Sequence, residues 1–262
     1  MMLKVLAATL VLTSILFSTD ARPTPPPLPP IDQLAHRDKT PEDIHSGVTV
    51  FSPEGERIVK ATGRFRLPDI HPNLRTIGDQ VAFWVGISGE PRPHLVQAGV
   101  VMYVAEEGVK FHAFIEWFPD LAKWTPEMDL EVGHEIEIMV RIEKGGRKAT
   151  MYIKDHTTGK YLLLENFEHS DSNHEPFKGF RASWMVEPAI MTLPDSRYMH
   201  PLANFGQITF YDCSTKTDKS TKLDLSESNR RRVLTMDKSE VAPTEVVIGS
   251  GQGISEFQVL VT

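Results

Sequence analysis

The sequence predicts an all-β sandwich. Short segments rich in Val, Ile, Phe and Tyr recur from about Ser46 onward, Gly, Pro, Asp and Asn clusters separate them, and several alternate apolar and polar residues with a period of two. No stretch carries a convincing amphipathic-helix pattern. With 262 residues, 40% hydrophobic and 24% charged, the chain can build a sizeable core in one large or two modest domains. Its 17 Gly and 19 Pro, without a repeat, exclude collagen, coiled coil and wholesale disorder. Lys and Arg number 28 against 35 Asp and Glu, for a net charge of −7, so nucleic acid has no obvious dock and is not an expected partner.

The first elements are not part of the sandwich. Lys4 precedes an apolar run from Val5 to Phe17, followed by Thr19, Asp20 and Ala21, the pattern of a cleavable secretory signal over residues 1–21. Residues 22–45 follow as a Pro-rich linker or short propeptide: RPTPPPLPP holds six prolines in nine residues and runs as extended polyproline II. The domain is expected over 46–262. No later stretch approaches about 18 uncharged apolar residues, so the mature chain is expected outside the cell with no membrane contact. Cys213 is the single cysteine, which excludes an intramolecular disulfide and reads as a small buried residue, although it would permit a linked dimer. A monomer is the expectation. No Asn-x-Ser/Thr sequon is present.

Within the domain, three strands alternate cleanly. From His94 to Val104, Val96, Ala98, Val100 and Met102 share one face, and Leu95, Gln97, Gly99 and Val101 the other. In FHAFIEWFP, Phe111, Ala113, Ile115 and Trp117 oppose His112, Phe114, Glu116 and Phe118. In RASWMVEP, Ala182, Trp184 and Val186 form an apolar face, with Arg181, Ser183, Met185 and Glu187 opposite. Gln97, Glu116 and Glu187 therefore sit as polar residues on apolar strands. One reading is the ordinary wet face of an antiparallel sheet. The other collects them into a cleft with Trp84, which VAFWVGI places opposite Val85 and Ile87. Periodicity does not choose between the two.

The words themselves resemble a family. WVGISG (Trp84 to Gly89), LVQAGV (Leu95 to Val100), FIEWFP (Phe114 to Pro119) and ASWMVEP (Ala182 to Pro188) occur in the order and approximate spacing seen in the glutamic peptidases, or eqolisins, of the scytalidoglutamic peptidase type. SGVTV and ATGRFRLP are similar to the family's opening strands, FGQITFYD and FQVLVT to its last ones, so nearly everything after the proline stretch is covered. The resemblance implies a concanavalin A-like sandwich of two curved antiparallel sheets, a secreted acid endopeptidase acting on protein or peptide substrates, and no cofactor or metal. It carries the catalytic pair onto Gln97 and Glu187, and cleft or substrate-binding positions onto Trp84, Glu116, Ser88 and Trp184.

The chemistry stands on its own. Peptide hydrolysis without a metal or covalent nucleophile needs a base for water, an acid for the leaving nitrogen and a donor for the oxyanion. Glu187 could serve as base and then acid, and the Gln97 amide as donor. An unperturbed carboxylate titrates near about 4.3, which puts such activity in acid. The sequence also departs from the family pattern. Ser88 and Ser183 stand where carboxylates are usual, Pro188 follows Glu187, and His45 occupies the place of an opening tryptophan. The 28 basic residues point to a milder optimum than strong acid. A catalytically weakened carbohydrate- or peptide-binding module is the alternative that these departures favour.

Other signatures are missing: there is no Asp-Thr/Ser-Gly, no Gly-x-Ser-x-Gly, and His134-Glu135 starts a zinc helix pattern without finishing it. The loop EHSDSNHEP, from Glu168, has ligand chemistry without ligand spacing and reads as solvated. Arg230 to Arg232 read as a solvated turn. GSGQG, Gly249 to Gly253, reads as a hairpin connection between EVVI and FQVLV.

Overall fold

The computed structural model describes residues 44–261 apart from 91–92, 126–127, 172–174, 194–195, 200–201, 227–228, 237–243 and 250–253. The expected signal and most of the linker lie outside the described residues. Two antiparallel sheets pack face to face. The first has the order β15-β1-β10-β3-β4-β5-β6, formed by Arg231–Leu234, Ser46–Phe51, Lys178–Glu187, Gln80–Glu90, Leu95–Ala105, Gly108–Phe118 and Lys123–Thr125. The second runs β16-β17-β13-β2-β7-β8-β9, formed by Thr244–Ile248, Phe257–Val261, Gln207–Thr217, Ile58–Arg66, Glu135–Ile142, Lys148–Asp155 and Tyr161–Glu168, with Lys222–Leu223 (β14) added beside β13. A two-stranded ribbon, Ile190–Leu193 (β11) and Ser196–Met199 (β12), follows β10. A 3-10 turn lies at Pro72–Leu74.

Alternation explains the layering. In β3, Val81, Phe83, Val85 and Ile87 point inward, and Val96, Ala98, Val100 and Met102 of β4 lie beside them, all fully buried in one core with Phe65, Ile138 and Val140 of the second sheet. Phenylalanines lock the sheets together: Phe210 stacks on Phe257 at 5.1 Å and tilts against Phe65 at 5.2 Å, and Phe65 meets Phe83 at 6.0 Å. Each such burial contributes about 1.5–3 kcal/mol, which lets the core hold the fold without a disulfide. Cys213 is fully buried in this core, which takes its thiol away from any intermolecular bridge.

Two expectations are corrected. Trp184, offered as a cleft residue, is fully buried between the sheets. Its indole lies over Gly63, where an added Cβ would come within 2.6 Å of the ring, and Nε1 donates to the Thr62 carbonyl at 2.8 Å. The period of two requires this, because Trp184 faces opposite Ser183, Met185 and Glu187. Arg231 and Arg232 are not in a solvated turn but in β15, where they pair with β1, and Arg231 Nη1 donates to the Leu225 carbonyl at 2.5 Å. The loop after Glu168 is exposed at its described residues, as expected, apart from its start, where it is docked. There His169 is buried with its ring 4.8 Å from that of His94, and the Ser170 backbone donates to Asp120 at 2.7 Å. The expected hairpin between EVVI and FQVLV forms, as β16 and β17 in the register Ile248 to Phe257.

Candidate active site

The site lies on the outer face of the first sheet, on strands β1, β10, β3, β4 and β5. The pairing arranges it in rows across the strands. One row holds Thr49, Ser183, Gly86, Gln97 and Glu116; another holds Glu187, Ala82, Val101 and His112. Between them run Gly47, Met185, Trp84, Gly99 and Phe114. Gln97, Glu116, Glu187 and Trp84 thus share one face. An outer sheet face is normally wet. Here Trp84 is 3% exposed, Gln97 6%, and Met185, Thr49 and Ser183 are buried as well, so the face is recessed.

Two glycines make the floor. A Cβ on Gly99 would come within 2.6 Å of Phe114 and 2.7 Å of the Trp84 Cβ, and one on Gly86 within 3.0 Å of the Gln97 Cβ. Small residues here let Trp84 and Gln97 lie flat against the sheet. Trp84, Phe114, Met185, Ala82, Val101 and Ala189 form a separate apolar cluster on this face.

The polar groups are coupled. Gln97 Nε2 donates to Glu116 Oε2, its neighbour across β4 and β5. The other amide atom, Gln97 Oε1, is buried and without a hydrogen-bond partner, as is Trp84 Nε1. Burial pushes the Glu116 carboxyl up to about 7; the Gln97 hydrogen bond opposes this, and the charges of Glu187 and Asp120 add to it. Glu187 is therefore within electrostatic reach of Glu116. Its own carboxylate meets His45 Nε2 at 2.6 Å.

Ser88, the remaining predicted cleft residue, is 7% exposed on the same face, and Arg181 Nε donates to its Oγ at 2.7 Å. Ser183 is held by Thr49 at 3.0 Å. Sequence reasoning missed that Arg181 occupies the Ser88 end of the face and that His45 reaches Glu187. The signal for both was strand pairing, which a single strand's alternation does not contain. Among the described residues, no group of three or more His, Cys, Asp or Glu is arranged to hold a metal.

The recessed face thus brings an amide, two carboxyls and an indole together on a two-sheet sandwich. The chain belongs to the Peptidase A4 family, whose model matches residues 43–255, and is a peptidase. Solved structures share the fold. Scytalidoglutamic peptidase, solved with a peptide-based transition state analog, superposes with a TM-score of 0.67 at 17% identity, covering 84% of this chain and 99% of that one. SCP-B, an eqolisin in complex with the tripeptide Ala-Ile-His, gives 0.67 at 16% identity over the same shares. Aspergilloglutamic peptidase from Aspergillus niger gives 0.54 at 19%, covering 70% and 99%. Comparison with individual curated proteins finds no match.

Proposed function

We propose that the chain is a secreted endopeptidase that cuts extended peptides in acid, with Gln97 and Glu187 as its working pair. What carries this reading is the clustering of Gln97, Glu116, Glu187 and Trp84 on one recessed face, with Gln97 bonded to Glu116 and Glu187 felt by it. In the mechanism, Glu187 takes a proton from water as the oxygen attacks the scissile carbonyl. The tetrahedral oxygen receives a hydrogen bond from Gln97 Nε2. Glu187 then passes the proton to the leaving nitrogen as the C–N bond breaks and is ionised again.

Glu116 makes this acid-dependent. When ionised it can only accept, so it commits Gln97 Nε2 and leaves Oε1 unmatched. When protonated, as burial favours below about pH 7, its O–H supplies the donor that Oε1 needs, and Nε2 is released with both hydrogens. Acid thereby turns the amide toward the substrate oxygen.

The test is digestion of a denatured protein across the acid-to-neutral range with pepstatin present. Wild type should cleave. Gln97→Ala should lose about 10²–10³ in kcat, the usual loss for one oxyanion donor, and Glu187→Gln should lose about 10²–10⁴. Wild-type rates in either variant would remove the assignment. The second reading, a binding module, is favoured by the occupation of Glu187 by His45 and of Ser88 by Arg181. Peptide or glycan binding without cleavage would establish it.

A further inference from the structure

His45 occupies a place that none of the catalytic steps above has used. In the β1–β10 ladder Ser46 opposes Val186, so continuing the register by one sets His45 against Glu187. The contact follows: His45 Nε2 lies 2.6 Å from Glu187 Oε2, with the two side chains only 18% and 15% exposed. The ring also stands edge-on to Trp84, 5.9 Å between centroids at 88°. The imidazole is thus wedged between the carboxylate and the indole. Glu187 as an anion only accepts, so Nε2 bears the hydrogen whether the ring is neutral or charged.

The surrounding strands bring other groups toward this contact. β3 brings Ala82 and Trp84, and β4 brings Val101. β5 brings Glu116, and His112 at the far end of the Glu187 row. β15 brings Leu234 beside Gly47, with Arg232 two positions further along.

We propose that His45 is a positioning residue for Glu187: its Nε2–H holds one carboxylate oxygen so that the other is presented to the water and then to the leaving nitrogen. His45 keeps its proton throughout. The water proton travels to the free oxygen of Glu187 and on to the amine, and the His45 hydrogen bond fixes which oxygen does this. Orientation of this kind matters because a misplacement of about 1 Å costs about 10²-fold in rate. The proposal rests on the peptidase reading above, and its test separates the two.

His45→Phe keeps the shape against Trp84 and removes the donor; His45→Gln keeps a donor on a side chain of similar reach. His45→Phe should lose about tenfold or more in kcat with KM unchanged, and His45→Gln should recover most of it. Ring-nitrogen NMR gives an activity-free readout. The wild-type ring should show a single Nε2–H tautomer, and Glu187→Ala, which deletes the acceptor, should move the ring-nitrogen shifts toward a mixture. A His45→Phe enzyme with wild-type kcat, or ring shifts indifferent to Glu187→Ala, overturns the proposal. A wild type that cleaves nothing would count against the peptidase reading, whereas the ring shifts still decide whether His45 holds Glu187.

Discussion

Gln97 and Glu116 face each other directly across β4 and β5, and the amide of the first donates to the carboxyl of the second. Burial pushes the Glu116 carboxyl up to about 7, and in the proposed mechanism its protonation state sets which end of the amide is free. Glu116→Gln substitutes a side chain that can donate to Gln97 Oε1 at any pH. The alkaline limb of the kcat/KM profile, expected near pH 7 in the wild type, should move upward in this variant. An unchanged limb would show that Glu116 does not govern it.

The same carboxyl predicts a stability profile. Its pKa is raised in the folded protein, so the folded state binds the proton more tightly than the unfolded chain. The resulting stabilisation is complete below the unfolded value of about 4.5 and is lost as pH rises through about 7. At about 1.4 kcal/mol per unit, the loss amounts to about 3 kcal/mol at most. Melting temperatures measured from pH 4 to 8 should fall with rising pH in the wild type and fall less in Glu116→Gln.

The two tryptophans at positions 84 and 184 separate cleft from core. Trp184→Phe deletes the bond to the Thr62 carbonyl and should destabilise by about 1–3 kcal/mol with KM unaltered. Trp84→Ala strips apolar surface from the face proposed for substrate and should raise KM by about tenfold. Thermal melts and steady-state kinetics on both variants check this. Equal effects on KM would put Trp184 back in the cleft.

Gly99 should not tolerate a side chain. An added methyl would meet Phe114, Trp84 and the Phe83 carbonyl at 2.6–2.7 Å, and the carbonyl belongs to backbone that has little room to yield. Gly99→Ala is expected to cost about 1–3 kcal/mol through overpacking and to displace Trp84. Reduced melting temperature together with changed tryptophan fluorescence is the readout.

Ser88→Asp should be accommodated. Arg181 Nε already donates to Ser88 Oγ at 2.7 Å, and a carboxylate there would accept a charge-assisted bond instead. The variant should melt at or above the wild-type temperature; a clear loss of stability would show that the guanidinium cannot follow the longer side chain.

Much of the framework was legible in the chain itself. Within each strand the period of two set Val85 opposite Trp84, Ala98 opposite Gln97 and Trp117 opposite Glu116, because successive side chains of a strand must alternate. It would also have placed Trp184 in the core, where its neighbours Ala182 and Val186 lie. What alternation lacks is the identity of the neighbouring strand.

Local order along the chain therefore determined the two-sheet sandwich, the inward faces and the fact that Gln97, Glu116 and Glu187 are polar interruptions of apolar strands. Tertiary structure alone decided that the three share a face, that Arg181 meets Ser88, and that His45 grips Glu187. The reason is physical: strands 19 to 142 residues apart in sequence meet only through hydrogen-bond register, and register is set by the packing of the whole core.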